Sequence, residues 1–194
     1  MNKQRIVIFG GSFDPIHIGH VNLASEVLRA GLASEVWFMV SPQNPHKQGC
    51  LLSDEKLRLK MVELAIAGNE RFKACDFEFS QSRPSYTVNT LAELERHYPD
   101  KEFILLVGAD NWAKFDKWYK ADEILAKYEL LVYPRGNEEM PQLPTGVTWL
   151  PAKLYDVSST MVRKAVVENK NILSYVSPEV AEFIKEHGLY ENDN

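Results

Sequence analysis

The sequence predicts an α/β protein with a mainly parallel sheet and a small helical portion near its C-terminal end. Three observations carry this. Short, unbroken apolar runs recur at Ile6–Phe9, Val36–Val40, Phe103–Val107 and Leu130–Tyr133, as in strands buried on both faces. Amphipathic stretches at helical spacing separate them. Turn residues follow the runs at once: Gly10-Gly11, Ser41-Pro42, Gly108 and Pro134-Arg135-Gly136.

Taken in order, Ile6–Phe9 reads as the first, central strand. Gly19 to Ala30 carries Leu23, Ala24, Val27 and Leu28 on one helical face, with Gly31 as its stop. Val36–Val40 closes a βαβ unit with a right-handed crossover. Ser41 to Leu52 is too polar and broken for a regular element, and it contains Asn44-Pro45-His46-Lys47. Ser53 reads as the cap of a helix striped by Leu57, Met61 and Leu64 and ended by Gly68. Phe72 to Phe79 is strand-like, and Ser80 to Ser85 is a polar turn with Arg83 and Pro84. Thr87 then caps a helix running through Leu91 and Leu94 to Tyr98.

After the Phe103–Val107 strand, Asn111 to Lys127 reads as helix in two pieces, with Trp112, Phe115 and Trp118 inside. Residues 137–146 read as an exposed loop, and Val147–Leu150 as a last short strand. Ser158-Ser159-Thr160 opens a helix containing Arg163, and Ser177-Pro178 opens the final one. In parallel sheets ligands bind outside the carboxyl ends of the strands, so Gly10, Ser41, Gly108 and Arg135 are expected to share one crevice.

Composition narrows the function classes. The 194 residues suit one domain, 1–194, with the C-terminal helical part at about 158–190. The net charge of −5 speaks against general binding to nucleic-acid backbones but leaves room for a nucleotide in a local positive pocket. Cys50 and Cys75 form no patterned pair, and no run is long enough to span a bilayer. The expectation is a reduced, cytoplasmic protein that uses no membrane partner. Assembly into a homo-oligomer is compatible with such a chain.

The opening stretch, Gly10-Gly11-Ser12-Phe13-Asp14-Pro15-Ile16-His17-Ile18-Gly19-His20, concentrates the chemistry. A strand, a glycine turn and a helix start together make an anion site. Dinucleotide binding would need glycines at positions 12 and 15, which hold Ser12 and Pro15, and no Walker A lysine motif occurs. His17 and His20 stand three apart and would project from one side of the first helical turn. Three readings are open: contact with a polyphosphate, ordinary capping, or a metal pair that lacks an evident third ligand.

This stretch resembles the HxGH signature of nucleotidyltransferases with a Rossmann-like, doubly wound fold and helices on both sheet faces. Its GGSFDPxHxGH form is similar to that of the bacterial nicotinate-nucleotide adenylyltransferases. A second motif of that family, S-x-T-x-x-R, is matched by Ser158-Ser159-Thr160-Met161-Val162-Arg163. The resemblance implies transfer of AMP from ATP to nicotinate mononucleotide, giving deamido-NAD and pyrophosphate by in-line attack without a covalent intermediate. Nicotinamide mononucleotide or another phosphate is the alternative acceptor, and a non-catalytic nucleotide-binding module the alternative class.

By the same resemblance, His17 and His20 contact the ATP phosphates, and Gly10, Gly11, Ser12 and Phe13 bring the backbone close to ATP. Ser158, Thr160 and Arg163 hold the triphosphate from the other side. His46 and Lys47 lie where the family has a basic lid residue, Lys47 being taken for ATP. On the acceptor side the family stacks the pyridine ring on a tryptophan at Trp118. It receives the carboxylate on main-chain amides at Tyr86-Thr87, and has acceptor contacts at Asp110 and Arg135. Mg²⁺ is implied as the counter-ion of ATP, held by phosphates rather than by protein side chains. Asp14 has two readings, fixing the turn or placing Mg²⁺.

Overall fold

In the computed structural model, which describes residues 3–42, 52–134, 142–151, 153 and 155–191, six strands form one sheet. These are β1 (Gln4–Gly11), β2 (Glu35–Val40), β3 (Phe72–Cys75), β4 (Lys101–Gly108), β5 (Glu129–Tyr133) and β6 (Val147–Trp149). Their order is β3-β2-β1-β4-β5-β6, and every pairing is parallel. The chain winds outward from β1 to β3, then returns to the other side of β1 for the second half. At that reversal the connections leave in opposite directions and open a crevice at the carboxyl edge. The register pairs Gly11 with Val40 and Gly108 with Tyr133, which brings the ends of four strands to that edge.

Strand periodicity divides the core into two. Val7 and Phe9 face one side of the sheet and Ile6 and Ile8 the other, all at most 3% exposed. Each such buried side chain contributes about 1.5–3 kcal/mol, so β1 is anchored from both faces before it reaches the turn. On the first face lie α1 (Ile18–Arg29), α2 (Glu55–Ile66), α6 (Ser159–Val167) and α7 (Pro178–Glu186). The second face carries α3 (Thr87–His97), the short α4 (Ala109–Trp112) and α5 (Ala121–Lys127). The doubly wound parallel sheet expected from the sequence is thus the observed one. Among the described residues no helix is long and apolar enough to cross a membrane.

Several local expectations change. The strand expected over Phe72–Phe79 ends at Cys75; Phe77–Ser80 is a 3-10 turn that buries Glu78, so the period of two breaks there. The cap of α2 is Asp54, not Ser53: its carboxylate accepts from the Lys56 and Leu57 amides at 2.8 and 3.4 Å. Tyr86 occupies the cap position of α3 and Thr87 is the first helical residue. Residues 109–127 form three pieces rather than two, with a 3-10 turn at Phe115–Lys117 between α4 and α5. Trp118 ends that turn in an extended conformation (φ −73°, ψ 145°) and so lies outside both helices, and Lys120 takes a left-handed conformation (φ +56°) just before α5.

Candidate active site

The opening turn is shaped by aromatic packing. Gly10 and Gly11 belong to β1 itself rather than following it. Phe13, with φ +47°, folds its ring back beneath the strand end and is 1% exposed. It meets Phe9 edge-on at 5.5 Å and His20 edge-on at 5.1 Å. A Cβ on Gly11 would stand 2.9 Å from the Phe13 ring, so any other residue there would displace the anchor. Among the described residues a Cβ on Gly10 would meet nothing within 4 Å, so their packing does not require that glycine.

His17 occupies the cap position of α1, and His20 stands one turn further on. Their rings stack at 3.7 Å with an interplanar angle of 28°, so the expected side-by-side projection is met. The Gly19 between them has a physical cause: its Cβ would lie 3.0 Å from Val157 Cγ1 and 3.1 Å from His17 Cε1. The His17 amide donates to His20 Nδ1 at 3.2 Å. An accepting Nδ1 leaves the proton of the neutral ring on Nε2, a donor on the far side of the imidazole. Capping and phosphate contact are therefore compatible roles for His20, using opposite ring nitrogens.

One element of the anion-site expectation is corrected. The Ile18 amide donates to the Tyr175 carbonyl at 2.8 Å, and the His20 and Val21 amides donate to the His17 carbonyl at 3.0 and 3.4 Å. Much of the helix start is thus committed to the protein, which shifts the weight of anion recognition toward side chains. The helix dipole still favours negative charge there.

Two further side chains not singled out from the sequence, Arg58 and Tyr190, help hold the turn in place. Arg58, 1% exposed on α2, donates to the carbonyls of Ser12 at 2.6 Å, Ser41 at 2.9 Å, Ser53 at 2.8 Å and Pro42 at 3.3 Å. One guanidinium thereby ties the exit of β1 to the exit of β2. Burial holds its pKa below the ordinary arginine value, and the nearby Asp14 carboxylate opposes that shift. Asp14, 4% exposed, accepts from Tyr190 Oη on Oδ1 at 2.6 Å and from the Ser53 amide on Oδ2 at 3.3 Å. Its surroundings match the turn-fixing reading. The available signal was an arginine three and four positions before the apolar Met61 and Val62 of the same helix face.

The start of α6 abuts the turn from the other side. Ser158 caps the helix, accepting from the Met161 amide at 3.2 Å. Ser159 donates to the Pro15 carbonyl at 2.9 Å and Arg163 to the Asp14 carbonyl at 2.7 Å, with its other nitrogen 3.4 Å from Thr160 Oγ1. Residues about 140 positions apart in sequence are thus joined, as the two motifs required. His46 and Lys47, together with Arg135, lie outside the described residues.

Across the crevice is a cavity whose lining includes Gly10, Gly11, Ser41, Gly108, Trp118 and Tyr133. Gly10, Ser41 and Gly108 therefore do share one crevice. The outer rim is aromatic: Tyr86 and Tyr119, 38% and 50% exposed, sit with ring centroids 4.7 Å apart, and half-buried Trp118 packs on Phe115 at 5.0 Å. Thr87 lines the cavity at the start of α3, where the first amides have no intrahelical acceptor. Asn111 rather than the exposed Asp110 reaches the lining; Asp110 stands in the first turn of α4 beside it. Buried Glu78, also missed in the sequence, braces this wall by accepting from Ser85 Oγ at 3.1 Å and Thr90 Oγ1 at 3.0 Å.

A parallel sheet reversing between β1 and β4, with paired histidines on one side of the crevice and an aromatic-rimmed cavity on the other, defines a nucleotide-handling α/β protein. The cytidylyltransferase-like family model matches residues 8–165. A Bacteroides thetaiotaomicron protein named "Probable nicotinate-nucleotide adenylyltransferase" is 44% identical over 96% of this chain and 93% of its own length. One of the same name in Cytophaga hutchinsonii is 40% identical over 97% of this chain and 100% of its own. The structure of Plasmodium falciparum nicotinic acid mononucleotide adenylyltransferase complexed with NaAD shares the fold, with a TM-score of 0.79 at 20% identity over 98% of each chain. The chain belongs to the cytidylyltransferase-like family and, within it, groups with the nicotinate-nucleotide adenylyltransferases.

Proposed function

We propose that the chain transfers AMP from ATP to nicotinate mononucleotide, releasing pyrophosphate and forming deamido-NAD, a step of NAD biosynthesis. The observation that carries this reading is the placement of stacked His17 and His20 at a turn whose strand end, Gly10-Gly11, also lines the aromatic cavity. One substrate on each side of that strand end would meet at it. The high identity to named relatives over nearly their full length supports the same reading.

In this reading ATP lies along Gly10, Gly11, Ser12 and Phe13, with its phosphates between the histidines and the start of α6. A phosphate oxygen of the acceptor forms a bond to the α-phosphorus as the bond to the bridging oxygen breaks, and pyrophosphate departs. His17 and His20 donate to phosphate oxygens as charge develops. Ser158, Thr160 and Arg163, with Lys47, grip the triphosphate from outside. Trp118 supplies the flat surface for the pyridine ring, and the amides at Tyr86-Thr87 receive its carboxylate. Asp110 and Arg135 hold the rest of the acceptor. Mg²⁺ enters as part of the ATP substrate, held by phosphate oxygens and water; both Asp14 oxygens already have protein partners.

Residues 1–194 are read as one unit, with α6 and α7 completing the ATP side, acting in the cytoplasm. Pyrophosphate release tests the function: the purified chain with Mg²⁺ and ATP is expected to turn over with nicotinate mononucleotide, and not with ATP alone. Turnover with nicotinamide mononucleotide but not the acid would reassign the acceptor. ATP binding without turnover on either would make the chain a non-catalytic module.

A further inference from the structure

The function proposed above leaves Asp14 and Tyr190 without a part in the chemistry, yet among the described residues they form the shortest side-chain link between the C-terminal portion and the opening turn. Tyr190 follows α7, and its hydroxyl donates to Asp14 Oδ1 at 2.6 Å. Its backbone is left-handed, with φ +64°, a conformation that disfavours a residue with a Cβ. Gly188, two residues earlier, takes a similar φ of +57°, as expected of a glycine just past a helix. A tyrosine at position 190 thus runs against the local backbone preference, and its side chain supplies the compensating contact. Burial and the adjacent Asp14 carboxylate push the phenol well above its ordinary pKa, so it remains a donor throughout the neutral range.

The link matters because of what the turn carries. Ser12 to Pro15 leads from the end of β1 proposed to face ATP toward the start of α1, which His17 caps and on whose first turn His20 stands. Arg58 holds the turn at the Ser12 carbonyl, Arg163 at the Asp14 carbonyl and Ser159 at the Pro15 carbonyl. These three bind backbone. Tyr190, with the Ser53 amide, engages the Asp14 side chain. A charge-assisted bond of 2.6 Å to a buried carboxylate is among the stronger single contacts a side chain makes.

We propose that Tyr190 is a positioning residue of the ATP side: by holding Asp14 it sets the turn from which His17 and His20 reach the phosphates. A structural brace alone would lower stability and leave the ATP terms untouched. A positioning residue alters how the site meets ATP and spares the acceptor. The inference rests on the adenylyltransferase reading for its kinetic arm, so binding of a methylene-bridged, non-transferable ATP analogue is measured beside turnover.

Tyr190→Phe removes one oxygen and keeps the ring. It is expected to raise both KM for ATP and Kd for the analogue about fivefold to tenfold, with KM for the acceptor within twofold. Asp14→Asn, which keeps the backbone contacts of the turn, reads the link from its other end. The double variant should be no worse than Asp14→Asn alone, since the two side chains act as one unit. Ile124→Val, a packing change in the core on the other sheet face, should lower the unfolding midpoint and leave every kinetic term alone. Folded Tyr190→Phe with unchanged analogue affinity overturns the proposal, as does an equal rise in KM for both substrates or simple additivity in the double variant. If the wild type binds the analogue yet transfers nothing to either mononucleotide, the function fails while the analogue arm still decides the role of Tyr190.

Discussion

The two sides of the crevice are built by different means. On the side proposed for ATP the backbone does most of the shaping, and side chains from α2, α6 and the segment after α7 hold it: buried Arg58 and half-buried Ser159, Arg163 and Tyr190 all bond to residues 12–15. On the side proposed for the acceptor the walls are mostly side chains of β1, β4 and α3, and the rim residues Tyr86 and Tyr119 are exposed. The contrast fits the demands of the proposed reaction. In-line transfer needs the α-phosphorus held to within a fraction of an ångström, whereas a planar ring needs a platform and a few fixed donors. Rigidity is concentrated where displacement would be costly.

Breaking the ATP side should therefore cost most, and Arg58 is its centre. Arg58→Met would leave four carbonyls and the Asp14 carboxylate without their cation inside the protein. A loss of about 3–5 kcal/mol is expected in urea unfolding, because several buried carbonyls lose a charged donor at once. Arg58→Lys should recover only part, because an ammonium cannot reproduce the forked geometry. A loss under 1 kcal/mol for Arg58→Met would show that the turn holds itself.

The next effect is catalytic rather than structural. His20→Ala should lower kcat by about 10²–10³, the size of losing one preorganised donor to a developing negative charge. His20→Asn should recover some rate, since its amide can accept from the His17 N–H and donate outward. Thermal melting separates this from unfolding. Unchanged kcat in His20→Ala would remove the histidine from the phosphate contacts.

The same contrast explains what could be read in advance. The buried strands, the parallel order and the pairing of the two motifs were legible because they depend on local hydrophobic period and on motif spacing. Arg58, Tyr190 and Glu78 were not, because their roles depend on carbonyls and hydroxyls that only the fold brings near: Arg58 reaches 46 residues back to Ser12, and Tyr190 reaches 176 residues back to Asp14. Trp118 was placed inside a helix, since its apolar neighbours suggested one; its own extended backbone ends the 3-10 turn before α5, and its side chain lines the cavity.

On the acceptor side a smaller, selective loss is expected. Trp118→Ala should raise KM for the acceptor about tenfold by removing the stacking surface, while KM for ATP changes less than twofold. Trp118→Phe should recover most of it. A rise in both constants would mean that the two sides are not separately built.

The smallest effect probes the core beneath the acceptor wall. Cys75 ends β3 and packs against the cluster on that face. Burial pushes its thiol from 9.0 up to about 11. A folded pKa above the unfolded one means that the neutral thiol favours the native state: its contribution is complete below pH 9 and is lost as pH rises toward 11. The linkage amounts to about 1 kcal/mol near pH 10. Tyr128 and Tyr190, whose phenols burial also raises, titrate identically in wild type and in Cys75→Val, so their effects cancel in the difference. Between pH 8 and 10.5 the unfolding free energy of the wild type should therefore fall faster than that of Cys75→Val. Parallel curves would show that the thiol is hydrated, and that the acceptor wall opens at its base as well as at its rim.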